Sequence, residues 1–89
     1  MQNYRFLVKG KVQGVYYRKN VQANAKKEKF SGYVKNLSNG NVEVTVTCNV
    51  TKLDIFLDIL KKGSVNSIVE NIEQYSCDEV FIGEFEIRY

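Results

Sequence analysis

Seven residues, Val42 to Cys48, alternate without a break between apolar and polar side chains. Val42, Val44, Val46 and Cys48 fall on one face, and Glu43, Thr45, Thr47 and the following Asn49 on the other. An unbroken period of two marks a strand buried on one side, so the chain must build a sheet with one face on a core. Ser38-Asn39-Gly40 stands just before this run, and the strand-like segment Phe30-Ser31-Gly32-Tyr33-Val34-Lys35-Asn36-Leu37 precedes it. Asn-Gly between two such runs is a strong hairpin signal. The segments 30–37 and 42–48 are therefore expected to be antiparallel neighbours.

The remaining periodicities complete a topology. Tyr4, Phe6 and Val8 alternate with Arg5, Leu7 and Lys9, which predicts a first strand over 4–12. From Tyr17 to Lys29 the spacing changes, and Tyr17, Val21 and Ala25 recur at i, i+4 and i+8, a helix burying one narrow stripe. A second helix follows, with Thr51 as N-cap, Asp54 near its positive end and Leu53, Phe56, Leu57 and Leu60 as its apolar stripe. Lys61, Lys62 and Gly63 close it. Ile68–Cys77 is a weaker strand, and Phe85, Ile87 and Tyr89 alternate with Glu84, Glu86 and Arg88 in a short last one. The order β-α-β-β-α-β, with two right-handed crossovers sharing one sheet, is that of an α+β ferredoxin-like sandwich. Both helices should lie on one face of an antiparallel sheet ordered 4-1-3-2, with a short extra C-terminal strand, in one domain over 1–89.

Composition excludes several chemistries. Eighty-nine residues make about one small domain. There is no apolar run of the roughly 20 residues a membrane span needs and no signal-peptide pattern, so the expectation is a soluble, cytoplasmic monomer. The chain has no histidine and two cysteines, too few for the four ligands of a structural zinc site. No metal site and no cofactor is expected. The first strand should separate Cys48 from Cys77 by two strand spacings, about 9–10 Å, beyond the roughly 7 Å a disulfide spans. Both thiols are expected to be reduced. The surplus of basic over acidic residues, 13 − 10 = +3, leans only weakly toward anionic partners. Lys26, Lys27 and Lys29 read as a solvated helix face. The absence of proline removes native cis-proline as a slow folding step.

Gly10-Lys11-Val12-Gln13-Gly14-Val15-Tyr16-Tyr17-Arg18 joins the first strand to the first helix. Successive N–H groups in such a turn can form a concave anion nest, and the helix N-terminus adds unpaired donors. Arg18 supplies a planar fork that matches two phosphate oxygens. The plainer reading is that Gly10 and Gly14 are turn residues and Arg18 a solvated charge, since both a Walker lysine and a full GxGxxG are missing. Spacing alone leaves both readings open.

The residues taken together resemble a known family. Gly10 to Arg18 resembles the acylphosphatase signature GxVQGVx(F/Y)R. Gly32-Tyr33-Val34-Lys35-Asn36, followed by Gly40-Asn41-Val42, resembles that family's second signature, G(F/Y/W)V(K/R)NxxxGxV. Arg18 precedes Asn36 by 36 − 18 = 18 positions, as the family's arginine precedes its asparagine, and Phe85-Glu86-Ile87-Arg88-Tyr89 resembles the usual family ending. The resemblance spans essentially the whole chain and implies the same sandwich fold.

It also implies hydrolysis of an acyl phosphate to a carboxylate and inorganic phosphate. By that similarity the loop from Val12 to Arg18 holds the phosphoryl group, through the N–H groups of Gln13, Gly14, Val15, Tyr16 and Tyr17 and the Arg18 guanidinium, while Asn36 orients the attacking water. A carboxylate leaves easily, so positioning and charge stabilisation suffice without a histidine. Five positions depart from the commonest pattern: Cys48 and Lys29 stand where the family commonly has glycine, Tyr33 where tryptophan is frequent, and Tyr16-Tyr17 make the loop more polar. At Cys48 an altered strand end is expected, and at Lys29 a different helix C-cap. Two other functions fit the topology: an RNA-recognition module, which would stack bases on aromatics of the central strands, and a phosphate-binding domain without turnover. Against the former, the third strand presents Thr45 and Thr47 on its polar face.

Overall fold

A computed structural model describes residues 1–89. The elements are β1 (Gln2–Lys11), α1 (Tyr17–Lys27), β2 (Ser31–Asn36), β3 (Val42–Cys48), a 3₁₀ turn (Val50–Lys52), α2 (Leu53–Lys62), β4 (Ile68–Ser76) and β5 (Glu86–Arg88). All five strands share one sheet, ordered β4-β1-β3-β2-β5. The pairs β1–β3, β1–β4 and β2–β3 are antiparallel. The short last strand lies beside β2 and runs parallel to it. This is the ferredoxin-like α+β sandwich with the expected 4-1-3-2 order.

Period-two patterning places the core. Phe6 and Val8 of β1, Val34 of β2 and Val42, Val44 and Val46 of β3 are wholly buried, and Val21, Ala25, Phe56 and Leu60 join them from the helices. The Phe56 ring lies 5.7 Å from Phe6, 5.1 Å from Phe30 and 6.0 Å from Phe85, so α2, the sheet and the chain's last turn share one aromatic contact. Neither helix is long and apolar enough to cross a membrane. Cys48, at the end of β3, and Cys77, just past β4, are both free thiols, with β1 between those strands.

Several local expectations are corrected. The stripe of α2 includes Ile59, while Leu53 and Leu57 are only partly buried. Thr51 is not the cap of α2; Asn49 caps the preceding 3₁₀ turn, its side chain accepting from the Thr51 amide at 3.1 Å. Alternation fails at Gly10 because the β1–β4 register shifts between Lys9 and Gly10, not because the strand has ended. A Cβ there would lie 2.1 Å from the Ile68 carbonyl oxygen, so only glycine lets the bulged strand and β4 meet. Thr45 and Thr47 do not face solvent. The segment leading to β5 crosses that face: Phe81 donates its N–H to Thr47 Oγ1 at 2.8 Å, and its ring meets Tyr33 edge-on at 5.6 Å. The expected open polar face is thus covered, and no aromatic platform for bases lies on β3.

The end of α1 is also instructive. Lys29 adopts φ 62°. The Phe30 amide donates to the Ala25 carbonyl at 2.9 Å and the Lys29 amide to Lys26 at 3.0 Å. That is a Schellman closure with a lysine in the left-handed position glycine normally takes. The cap therefore keeps the shape expected of glycine, correcting the expectation of a different one, and only the residue has changed. A side chain in this conformation costs about 1–2 kcal/mol, part of which glycine returns as unfolded-chain entropy. Lys29→Gly should therefore raise stability by about 0.5–1 kcal/mol, and the melting temperature by roughly 2–8 °C. An unchanged or lower melting temperature would show that the lysine side chain repays its strain.

Candidate active site

Where β1 leaves the sheet, residues 12–16 turn into α1. Gly14 has φ 71° and Tyr16 φ 61°, so the turn passes twice through the left-handed region, once at a non-glycine residue that is 75% exposed. Such strain persists only where the surroundings fix it. Tyr17 supplies one anchor: it is buried, and its hydroxyl donates to the Leu60 carbonyl at the end of α2 at 2.8 Å. Burial also pushes the Tyr17 phenol far above its ordinary range. Ser64, just past α2, donates its hydroxyl to the Val15 carbonyl.

The amides of Gln13, Gly14, Val15 and Tyr16 donate to no other group of the protein. The helical ladder opens only with the Asn20 amide on the Tyr16 carbonyl at 3.1 Å, which leaves the first-turn amides of Tyr17, Arg18 and Lys19 without intrahelical acceptors. Seven consecutive donors thus stand free at a helix N-terminus, where the dipole favours negative charge.

An open cavity of about 410 Å³ lies against this turn. Val12, Gly14, Tyr16, Tyr17, Arg18 and Asn36 all line it. Asn36 reaches it by strand parity. Val34 points into the core, so Asn36, two residues on, shares that face, and the register Val8–Val42–Asn36 sets it beside the exit of β1. Its Oδ1 is buried with no hydrogen-bond partner, a deficit worth about 1–3 kcal/mol.

Two sequence-predicted residues do not line the cavity. Val15 packs partly buried against the core. Gln13 turns its side chain away, donating Nε2 to the Leu37 carbonyl at 2.7 Å and the Asn41 carbonyl at 2.8 Å. Conversely, Lys19, Ile87 and Tyr89 complete the wall and were not expected there; the parallel placement of β5, which periodicity does not specify, brings the last two. Arg18 donates Nη1 to the Arg88 carbonyl at 3.3 Å, and its guanidinium stacks 4.8 Å over the Tyr89 ring. It makes no ion pair with any carboxylate of the chain, so its charge is uncompensated at the cavity wall.

The acylphosphatase family model matches residues 4–87. The chain belongs to the acylphosphatase family. Among curated acylphosphatases it is 40% identical to that of Bacillus licheniformis over 90 residues and 36% identical to that of Borrelia garinii subsp. bavariensis over 93, with full coverage of both chains in each case. The crystal structure of acylphosphatase from Bacillus subtilis superposes with a TM-score of 0.91 at 37% identity, again over 100% of both chains. Family and fold support an enzyme of acyl phosphate hydrolysis in general.

Tyr33 sits in β2, the strand beside which β5 and the last cavity wall lie. Its hydroxyl donates to Glu43 at 2.7 Å, and Arg88 of β5 stacks on its ring at 4.1 Å. Burial, then the hydrogen bond to Glu43, push its phenol up to about 12, with Arg88 opposing. A raised native pKa means stability is fully present below the unfolded value near 10 and lost as pH climbs toward 12. Tyr33→Phe should flatten the fall in denaturant midpoint between pH 10 and 12, leaving only the contribution of Tyr17 and other groups. Parallel curves for variant and parent would remove Tyr33 from the alkaline transition.

Proposed function

We propose that this chain hydrolyses acyl phosphates by seating the phosphoryl group in the 12–18 turn and aiming a water with Asn36, without a metal. The observation that carries the reading is the run of seven unpaired amides, Gln13 to Lys19, of which Gly14 and Tyr16 to Lys19 line a cavity that also receives the uncompensated Arg18 guanidinium and the Asn36 side chain. Three phosphoryl oxygens need donors in a fixed array, and the amides supply them with no reorganisation during the reaction. Arg18, preoriented by the Arg88 carbonyl and the Tyr89 ring, adds the planar fork and charge that a loose transition state rewards. A metal's role as charge clamp is thereby filled by the chain itself.

Asn36 makes no side-chain hydrogen bond within the protein. Its amide is free to hold a water in line with the carboxylate leaving group. The water oxygen forms the new P–O bond to phosphorus as the P–O bond to the acyl oxygen breaks. The acyl group leaves as a carboxylate, and a phosphoryl oxygen takes the water's proton. No histidine is needed at any step.

Hydrolysis of a simple aromatic acyl phosphate in the presence of a chelator tests the proposal. Arg18→Ala should nearly abolish turnover and weaken inhibition by inorganic phosphate, and Arg18→Lys should restore little because a point charge lacks the fork. Asn36→Ala should cut turnover by on the order of 10²–10³ with phosphate inhibition kept. Activity retained in Arg18→Ala, or lost to the chelator, would overturn the reading. A folded parent protein without turnover would leave a phosphate-binding domain, which phosphate titration would then reveal.

A further inference from the structure

The two halves of the site come from the β1–α1 turn and from the end of β2, and one side chain joins them. Gln13 lies within the phosphate turn, between Val12 and Gly14, and its Nε2 spans to the Leu37 and Asn41 carbonyls. Those two carbonyls define the β2–β3 turn: Leu37 donates its amide to Asn41 at 2.9 Å, and Gly40 donates to Leu37 at 3.3 Å. Leu37 immediately follows Asn36. Both protons of one amide group are thus used to fasten the phosphate turn to the residue after the water-holding one. The contacts join positions 24 and 28 residues apart in the chain.

We infer that the Gln13 side chain is a positioning residue that sets the distance between the bound phosphoryl group and the water on Asn36. The inference rests on the proposed reading of the site and adds a residue whose side chain touches neither reactant. A planar amide with two protons is the group this bridge needs. Methionine of similar length has no donor, and a carboxylate would set oxygen against two carbonyl oxygens. Because the bridge acts on a separation between reacting atoms, its loss should appear in kcat. A misplacement on the order of 1 Å costs up to about 10²-fold, whereas the amides and Arg18 that bind phosphate remain in place.

The test compares Gln13→Met with Asn36→Ala and with the double variant, using an aromatic acyl phosphate and inhibition by inorganic phosphate. Gln13→Met should lower kcat roughly 10- to 100-fold, with the phosphate inhibition constant changed by less than about threefold. In the Asn36→Ala background the same substitution should cost less than about threefold, since the group it positions is gone. An unchanged kcat, a full additive loss in the double variant, or a parallel loss of phosphate affinity would each overturn the inference. Should Gln13→Met fail to fold, Gln13→Glu keeps the shape and removes the donors. Its kcat deficit should shrink as acid protonates the carboxyl and restores one O–H donor, and a deficit independent of pH would count against the bridge. Asn36→Ala at parental turnover would instead defeat the reading of the site itself, so the two failures are distinguishable.

Discussion

Seven register pairs between β1 and β3, from Gln2–Cys48 to Val8–Val42, fix where the chain leaves the sheet for the phosphate turn. The same strand β3 pairs on its other side with β2, from Ser31–Thr47 to Asn36–Val42. One row across the sheet therefore reads Val8, Val42, Asn36, with all three side chains on the helix-facing side. A slip of one residue in the β2–β3 pairing would turn Asn36 to the opposite face. The buried Val34 forbids that slip, because the same shift would turn it out of the core. The apolar alternation that makes the core is thus also what aims the polar residue at the site.

Against this firm sheet, the site itself is held in an uncomfortable state. Tyr16 takes a left-handed conformation, the side-chain Oδ1 of Asn36 has no partner, and consecutive amides of the turn lack acceptors. Each is a cost of about 1–3 kcal/mol when buried, and solvent reduces it at the exposed amides. The surroundings supply the compensation: the buried Tyr17 ring, its hydroxyl on Leu60, and the apolar contacts of Val12 and Val15. A turn whose donors were satisfied internally would be more stable and would have nothing left to offer an anion.

Much of this was legible in the residues themselves. The alternation at 42–48 and the Asn39-Gly40 turn fixed the hairpin, and Tyr17, Val21 and Ala25 are the buried stripe of α1 as spaced. Asn36 could have been placed on the core face by counting two from Val34, since a polar side chain at an apolar parity position is a signal in its own right. Other features depend on contacts that no local pattern encodes. The cover over Thr47 comes from Phe81, 34 residues beyond it in the chain. Glycine at 10 serves a bulge against β4 inside the strand expected over 4–12, which alternation alone cannot show because a bulge and a loop interrupt it equally. Lys29 shows the converse: the backbone at the end of α1 follows its hydrogen-bond closure whatever residue occupies the position.

Long-range tethers converge on the 13–18 turn from separate parts of the fold. The β2–β3 turn holds it through Gln13, the α2–β4 connection through Ser64, and β5 through the Arg88 carbonyl on Arg18, at separations of 24 to 70 residues. None of these contacts can form from a local segment alone, and the loop-closure entropy of each is offset only once the sheet is in register. The anion nest is therefore a property of the completed fold and not of its own short sequence. It also follows that fraying of β5, a three-residue edge strand, would loosen Arg18 before the sheet opened; the parallel pairing with β2, the buried Phe85 and the stacking of Arg88 on Tyr33 at 4.1 Å oppose it.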